Sequence, residues 1–69
     1  MTQGKIKHWN RDRGFGFIAR DDGEADVFVH FRHLQNASRD HLEIGERVEF
    51  EIVPDDRRGK PEARNVRVL

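Results

Sequence analysis

The amino-acid sequence predicts a small all-β domain in which five strands close, or nearly close, into a barrel. Three observations lead to this fold class. The chain has 69 residues, which leaves room for one domain. Short alternations of apolar and polar residues are separated by turn residues, and no segment has a convincing helical pattern. A sheet of so few short strands also needs protection for its edges, which closure into a barrel provides.

The first three strands are bounded by residues that favour turns. Strands are predicted over residues 5–10 and 15–20, separated by a turn that ends at Gly14. The run Asp21-Asp22-Gly23-Glu24 predicts a hairpin loop, because Asp-Gly accommodates the positive φ angles of such turns. The third strand follows over residues 26–31.

The second half of the chain has a long connection and two further strands. Residues 32–45 are predicted to form the connection, with at most one short helical turn near 32–35. A fourth strand over 47–53 ends at Pro54, whose ring removes a hydrogen-bond donor from the ladder. Residues 55–61 form a charged loop, and the fifth strand covers 64–69.

Composition excludes several classes of protein. The chain has no cysteine, which excludes disulfides, thiolate metal sites and cysteine nucleophiles. No apolar run approaches the ~20 residues of a membrane span. The first residues also lack the apolar stretch of a secretory signal. A cytoplasmic protein, a nuclear protein or an excised domain fits these observations; of these we expect a cytoplasmic protein, with no membrane partner.

Charge is balanced overall but unevenly distributed. The sequence has 13 basic and 13 acidic side chains, so its formal net charge is zero. Both ends are basic, whereas residues 40–56 contain seven acidic residues and one arginine. The global basicity that indicates nucleic-acid binding is absent. A claim of such binding must therefore rest on the local arrangement of side chains.

Alternation along the strands predicts an apolar interior and an aromatic exterior, because successive strand residues point to opposite faces. The predicted inward residues are Ile18, Val27, Val29, Val48, Phe50, Ile52, Val66 and Val68. The opposite face of strands two and three carries Phe15, Phe17, Phe28 and His30. Since no helix is available to cover that face, these rings should be exposed, and an exposed apolar patch usually marks an interaction site.

Cations flank the predicted aromatic face, which favours single-stranded nucleic acid as the ligand. One phenylalanine on a β-strand, considered alone, is more often a core residue than a binding residue, by about 4 to 1 on the usual burial ranking. Here two adjacent strands both carry aromatic residues on the face opposite their aliphatic residues, which favours a binding surface over a core. The basic residues that flank this face are Lys5, Lys7, Arg11 and Arg13. Each unpaired base offers a π-face, and stacking contributes ~1–3 kcal/mol per base. Duplex bases already stack on one another, so the ligand should be single-stranded or locally melted.

Two strings of residues resemble the ribonucleoprotein-like motifs of the cold shock domain. They are Arg13-Gly14-Phe15-Gly16-Phe17-Ile18 and Val27-Phe28-Val29-His30-Phe31, and the resemblance extends over essentially the whole chain. It implies a five-stranded antiparallel oligonucleotide-binding (OB-fold) barrel, with a single cold shock domain over residues 1–69. It also implies a non-enzymatic protein that binds single-stranded RNA and DNA with little sequence preference, as an RNA chaperone or antiterminator.

The resemblance also assigns roles to individual positions. Lys7 matches a lysine that contacts phosphate. Asp26 matches a carboxylate near the base edges, where it could accept a hydrogen bond from an exocyclic amine. The stacking positions are Phe15, Phe17, Phe28, His30 and Phe31. The basic residues expected to attract phosphate are Lys5, Lys7, Arg13, Arg57, Arg58 and Lys60.

Two departures from the family pattern concern His8 and Arg39. The family usually reads Lys-Trp-Phe-Asn in the first strand, so His8 takes the position of the main stacking tryptophan. Strict alternation from an inward Ile6 points His8 inward and Trp9 outward, and a bulge would be needed to bring His8 to the binding face. We expect His8 to be a weak stacking position with Trp9 beside it. Arg39 stands where many members have an aromatic residue, and a guanidinium can stack on a base or pair with phosphate.

Other functions have less support in the sequence. His30, His33 and His41 match no metal-ligand spacing, so no metal or cofactor is expected. Asp26 and His30 share a face, but no further group completes an acid–base site, so no catalytic residue is predicted. A protein-interaction barrel that receives a partner segment on the same aromatic face stays open, and net neutrality favours it slightly. We expect a monomer in preference to a dimer, and no small-molecule substrate.

Overall fold

The structure is a computed structural model that describes residues 2–54 and 61–69. It contains five strands and one 3-10 helix. The strands are β1 (Thr2–Asn10), β2 (Phe15–Arg20), β3 (Val27–His30), β4 (Arg47–Pro54) and β5 (Pro61–Val68). The 3-10 helix, Phe31–His33, follows β3 directly and lies close to the predicted helical turn.

The five strands form a closed barrel in the order β1-β2-β3-β5-β4, which confirms the predicted fold class. Four of the five strand pairs are antiparallel. The pair β3–β5 is parallel, with Phe28 opposite Glu62 and Val29 opposite Ala63. The antiparallel arrangement expected from the sequence therefore needs this one correction. A closed ring with an odd number of strands cannot reverse direction at every pairing, so one parallel pair is unavoidable.

The interior is filled from every strand and from the long connection. Alternating residues of β2, β3 and β4 point inward, as the sequence predicted. The buried core consists of Ile6, Trp9, Ile18, Val27, Val29, Leu42, Val48, Phe50, Ala63 and Val66, with Leu34, Ile52 and Val68 packed against it. Full burial of a large apolar side chain contributes about 1.5–3 kcal/mol, so this cluster is the main stabilising feature of the barrel.

Two strands are longer than predicted. β1 begins at Thr2, because residues 2–5 pair with β4 in a second ladder in which Gly4 lies opposite Val48. β5 begins at Pro61 and pairs antiparallel with β4 up to Val68. The sequence did not show these extensions, because neither segment alternates between apolar and polar residues.

Register shifts interrupt two of the ladders. In β1, Ile6 lies opposite Ile18 but His8 lies opposite Phe17, so Lys7 is an extra residue on that strand. In β5, Arg67 lies opposite Glu49 and Arg64 lies opposite Glu51, so β5 carries the extra residue there. Asn65, within that second bulge, has a φ of 52°, a conformation that asparagine tolerates better than most residues. Each bulge reverses which residues of its strand face inward.

No helix in residues 2–54 or 61–69 is long and apolar enough to cross a membrane.

Candidate nucleic-acid interface

An aromatic surface covers the outer face of β2 and β3 and the start of the 3-10 helix. We define it by its five rings: Phe15, Phe17, Phe28, His30 and Phe31. Phe17 and Phe31 are 37% and 38% exposed, and the other three are half-buried. The predicted exposed aromatic cluster is therefore confirmed, since none of these rings lies in the buried core.

Strand register brings the rings into contact. Phe15 lies opposite His30, and Phe17 lies opposite Phe28, across the antiparallel β2–β3 pair. The Phe28 ring stacks on Phe15 and meets Phe17 edge-on, with ring centroids 5.8 Å apart in both cases. Direct cross-strand neighbours on one face are close enough to interact, and the alternation of the two strands brings Phe15, Phe28 and Phe17 into contact with one another.

Phe31 joins the surface because the strand ends before it. Continued alternation would point Phe31 inward with Val29, but β3 stops at His30 and the chain turns into the 3-10 helix. The Phe31 amide donates to the Gly14 carbonyl at 2.7 Å, and its ring lies where a β-carbon on Gly14 would stand. Gly14, with a φ of 72°, therefore supports this ring, a role that the sequence did not reveal.

The first strand places His8 and Trp9 differently from the expectation that both lie on the surface. The bulge needed to turn His8 outward is present, so His8 is exposed and lies opposite Phe17. The same bulge turns Trp9 inward, where it is only 9% exposed and belongs to the core. The expectation that Trp9 lies beside His8 on the binding face is therefore wrong.

Trp9 has a structural role instead. Its indole Nε1 donates a hydrogen bond of 2.9 Å to the backbone carbonyl of Arg39. A buried indole N–H usually finds such an acceptor. The bond fixes the backbone of the long connection to the barrel at Arg39. The sequence offered no signal for it, because the two residues are 30 positions apart.

Arg39 reaches the aromatic surface from the long connection. Its guanidinium carbon lies over the Phe31 ring, 5.0 Å from the ring centroid. This distance is within the range of a cation–π interaction. Arg39 is exposed to solvent, so the guanidinium forms part of the accessible surface.

Lys7 and Asp26 form an ion pair next to the rings. The Lys7 ammonium donates to a carboxylate oxygen of Asp26 at 2.9 Å. The Lys7 side chain is 62% exposed and that of Asp26 is 37% exposed, so solvent screens the pair and its contribution to stability is small. Arg13 is exposed in the turn between β1 and β2, where its amide donates to the Asn10 side chain.

His30 is held in the neutral form at pH 7. Desolvation by burial lowers its pKa below the ordinary value of 6.5, and the charges of Arg32 and His33 act in the same direction. Its Nδ1 accepts a hydrogen bond of 3.3 Å from the Arg32 amide. An uncharged imidazole ring can stack on a base without the cost of desolvating a cation.

The predicted phosphate-binding residues Arg57, Arg58 and Lys60 lie outside the described residues. Among those described, no group of three or more histidine and acidic side chains is arranged to hold a metal ion. The structure thus brings together eight of the predicted site residues around one face: Lys7, His8, Phe15, Phe17, Asp26, Phe28, His30 and Phe31. Arg39 is added to them from the connection.

A closed five-stranded barrel whose ligand face lies on strands two and three defines the class of OB-fold domains. Comparison with known proteins agrees with this class. The family model described as the 'Cold-shock' DNA-binding domain matches residues 2–69. The chain therefore belongs to the cold shock domain family. Membership makes it a DNA-binding domain protein and not an enzyme, as the sequence predicted.

Individual relatives cover nearly the full chain. The cold shock-like protein CspC of Bacillus cereus is 53% identical over 64 residues, which are 93% of this chain and 94% of that protein. The cold shock-like protein of Aquifex aeolicus is 48% identical over 67 residues, 97% of this chain and 93% of that protein. Among solved structures, Drosophila Unr CSD456 superposes with a TM-score of 0.79 at 28% identity. That match covers 99% of this chain but only 26% of the Drosophila chain.

Proposed function

We propose that the protein is one cold shock domain over residues 1–69 that binds single-stranded RNA and DNA with little overall sequence preference. We further propose that it acts in the cytoplasm, where it keeps RNA unpaired as a chaperone or antiterminator does. The observation that carries the proposal is the aromatic surface, in which five rings lie outside the buried core and two of them, Phe17 and Phe31, are more than one third exposed.

Stacking is the interaction that these rings support best. Phe17 and Phe31 are more than one third exposed, and each offers ring surface to a base. Stacking of this kind is tolerant of sequence because every base has a π-face, and it contributes ~1–3 kcal/mol per base. A site of ~6–7 nucleotides falls within the range of ~4–16 for this barrel class.

Cations around the rings support binding of the phosphate backbone. Lys7, Arg13 and Arg32 are exposed; Arg13 lies in the turn that leads into β2, and Arg32 lies in the 3-10 helix that begins with Phe31. The pairing of Lys7 with Asp26 is weak enough for a phosphate to compete for the ammonium. The larger group of acidic side chains, in residues 40–56, includes those of β4, which pairs with neither β2 nor β3, so it favours approach of a polyanion from the side of the rings.

Unwinding follows from binding alone. A ligand that binds only the unpaired strand shifts the equilibrium between paired and melted RNA by mass action. The mechanism needs no covalent step and no nucleotide hydrolysis, in agreement with a non-enzymatic protein.

A salt titration tests the proposal. Labelled heptathymidine and hepta-uridine are titrated with the protein at several salt concentrations, and binding is read by fluorescence anisotropy. Intrinsic tryptophan emission is a poor reporter, because Trp9 lies in the core. We expect an affinity that falls steeply as salt rises. Absence of binding at low salt would refute the proposal, whereas a partner-peptide groove would show little salt dependence.

Replacement of Lys7 sharpens this test. Lys7→Gln removes one phosphate contact, so the slope of log K against log salt should become shallower by about 0.7, the value for one contact on a single strand. Arg67→Gln is the matched control, since Arg67 is exposed on β5 opposite Glu49 and away from the rings. An equal change in both variants would mean that Lys7 acts only through net charge.

A further inference from the structure

We propose that Arg39 makes one subsite of the aromatic surface selective for guanine. The inference rests on the proposed function and adds a base preference at a single position to a surface that otherwise accepts any base. It concerns the end of the surface formed by His30 and Phe31.

The position of Arg39 is held from two sides. Its backbone carbonyl accepts the hydrogen bond from Trp9, whose ring is fixed in the core. Its guanidinium rests over the Phe31 ring at 5.0 Å from the centroid. A surface arginine usually samples many rotamers, but these two contacts restrict the region that this side chain occupies. The guanidinium is therefore preorganised before the ligand arrives.

The donors of the guanidinium are available for a ligand. Within the described residues, the Arg39 side chain makes no ion pair and donates no hydrogen bond to protein. A guanidinium carries five N–H donors in a rigid planar fork and has no acceptor. A group that satisfies these donors must therefore present acceptors only.

The His30 ring, next to Phe31, is the surface on which a base could stack close to the Arg39 guanidinium. The His30 ring lies 4.7 Å from that of Phe31, with an angle of 35° between the two planes. In the arrangement that we propose, a base stacks on His30 next to the guanidinium that covers Phe31, and its edge meets the Arg39 donors. His30 is uncharged at neutral pH, so it does not repel the guanidinium.

The chemistry of base edges then favours guanine. Guanine presents two adjacent acceptors, O6 and N7, on one edge, and arginine binds this pair with two parallel hydrogen bonds. Adenine has a donor, the N6 amine, in place of O6, and thymine presents a single acceptor, O4, on the corresponding edge. Arginine therefore binds guanine more tightly than adenine, although both purines stack equally well.

A substitution series in a heptathymidine tests this inference. One dG, dA or dC replaces thymidine at each of the seven positions in turn, and dissociation constants are measured by anisotropy. We expect dG to bind about fivefold more tightly than dA at one position or at two neighbouring positions, toward the lower end of the discrimination by one bidentate pair. Equal affinity of dG and dA at every position, or dC as favourable as dG, would overturn the inference.

Variants identify the group responsible. The ratio of the dA to the dG dissociation constant is measured within each variant, so changes in overall affinity cancel. Arg39→Met keeps a long side chain but removes every N–H donor, and the ratio should fall to about one. Trp9→Phe removes the indole donor that holds Arg39 and should lower the ratio. Arg67→Gln should keep the wild-type ratio.

The outcomes separate this inference from the proposed function. Failure of the unsubstituted heptathymidine to bind refutes the proposed function. Normal binding of the heptathymidine with a dA-to-dG ratio near one refutes only the role of Arg39. A guanine preference that survives in Arg39→Met also refutes that role, whatever happens to Trp9→Phe.

Discussion

At the scale of single residues, Phe28 occupies the centre of the aromatic surface and Phe17 its margin. Phe28 contacts both Phe15 and Phe17 at 5.8 Å between centroids, whereas Phe17 contacts only Phe28 among these rings and is more exposed. We expect Phe28→Ala and Phe17→Ala each to weaken binding of heptathymidine by ~1–3 kcal/mol, the contribution of one stacked base. Isothermal titration with each variant measures the loss.

The stability of the two variants should differ while binding falls in both. Phe28→Ala also removes two ring contacts inside the protein, so it should lower the free energy of unfolding more than Phe17→Ala does. Urea denaturation checks this order. An unfolded Phe17→Ala variant would show that its ring is a core residue, contrary to its exposure.

The lowered pKa of His30 predicts a dependence of stability on pH. Burial keeps the folded-state pKa of His30 below the ordinary value of 6.5. At a pH between the folded-state pKa and 6.5, the unfolded chain therefore binds more protons than the folded chain. The contribution of His30 is therefore complete above pH 6.5 and is lost as the pH falls through that window to the folded pKa. An NMR titration of the ring proton should give a pKa below 6.5.

His30→Gln provides the comparison for this effect. Urea denaturation of wild type and variant at about pH 7.5 and about pH 5.5 isolates the part of the pH dependence that belongs to His30. We expect a smaller loss of stability on acidification in the variant. An identical loss in both proteins would contradict the proposed titration.

At the scale of elements, the β1–β2 pair depends on the contact between Gly16 and Trp9. The two residues are cross-strand partners, and a β-carbon on Gly16 would collide with the His8 carbonyl and come within 2.8 Å of the Trp9 ring. Overpacking of this kind costs about 1–3 kcal/mol, so we expect Gly16→Ala to lower the free energy of unfolding by about that amount. Denaturation by urea measures the change.

Gly23→Ala is the matched control in the next turn. Gly23 has a φ of 80° with no atom within 4 Å of its added β-carbon, so only backbone strain of about 1–2 kcal/mol is introduced. Gly16→Ala should additionally displace Trp9 and change its emission spectrum. A Gly16→Ala protein with wild-type emission would show that the strands separate without moving the indole.

Bulges explain which parts of the elements the sequence could predict. Alternation placed Val27, Val29 and Ile18 correctly, because β2 and β3 pair without interruption. It failed at Trp9, since one extra residue at position 7 exchanges the faces of everything after it. Leu42 was missed for another reason: it enters the core from a connection that has no periodic pattern.

At the scale of the whole molecule, the barrel was predictable but its contacts across long separations were not. Strand count, turn residues and the motif strings all favoured one fold. The anchoring of Arg39 by Trp9 and the support of Phe31 by Gly14 depend on residues that only the closed barrel brings together. Composition and spacing along the chain carry no information about such pairs.

Ligand binding should stabilise the whole barrel, because a small domain has a small core. A single-stranded ligand at about 100 times its dissociation constant contributes about 2.7 kcal/mol. For a domain of this size, each kcal/mol raises Tm by roughly 4–8 °C, so we expect an increase of roughly 10–20 °C. Scanning calorimetry with heptathymidine measures it, and a blunt DNA duplex is the control. Equal stabilisation by the duplex would contradict preference for unpaired strands.

The short parallel pairing of β3 with β5 has a consequence for how the barrel closes during folding. β1, β2 and β3 meet through brief turns, whereas β5 must return from the far end of the chain to reach two residues of β3. The β1–β4 pair also joins residues that are distant in sequence, but it has four residue pairs against two in the β3–β5 pair. The β3–β5 pair therefore has the fewest contacts to offset the entropy of closing its loop, and we expect it to form last during folding. The same pair should open first in the native state, so amides that bond between β3 and β5 should exchange hydrogen faster than those of the β1–β2 ladder.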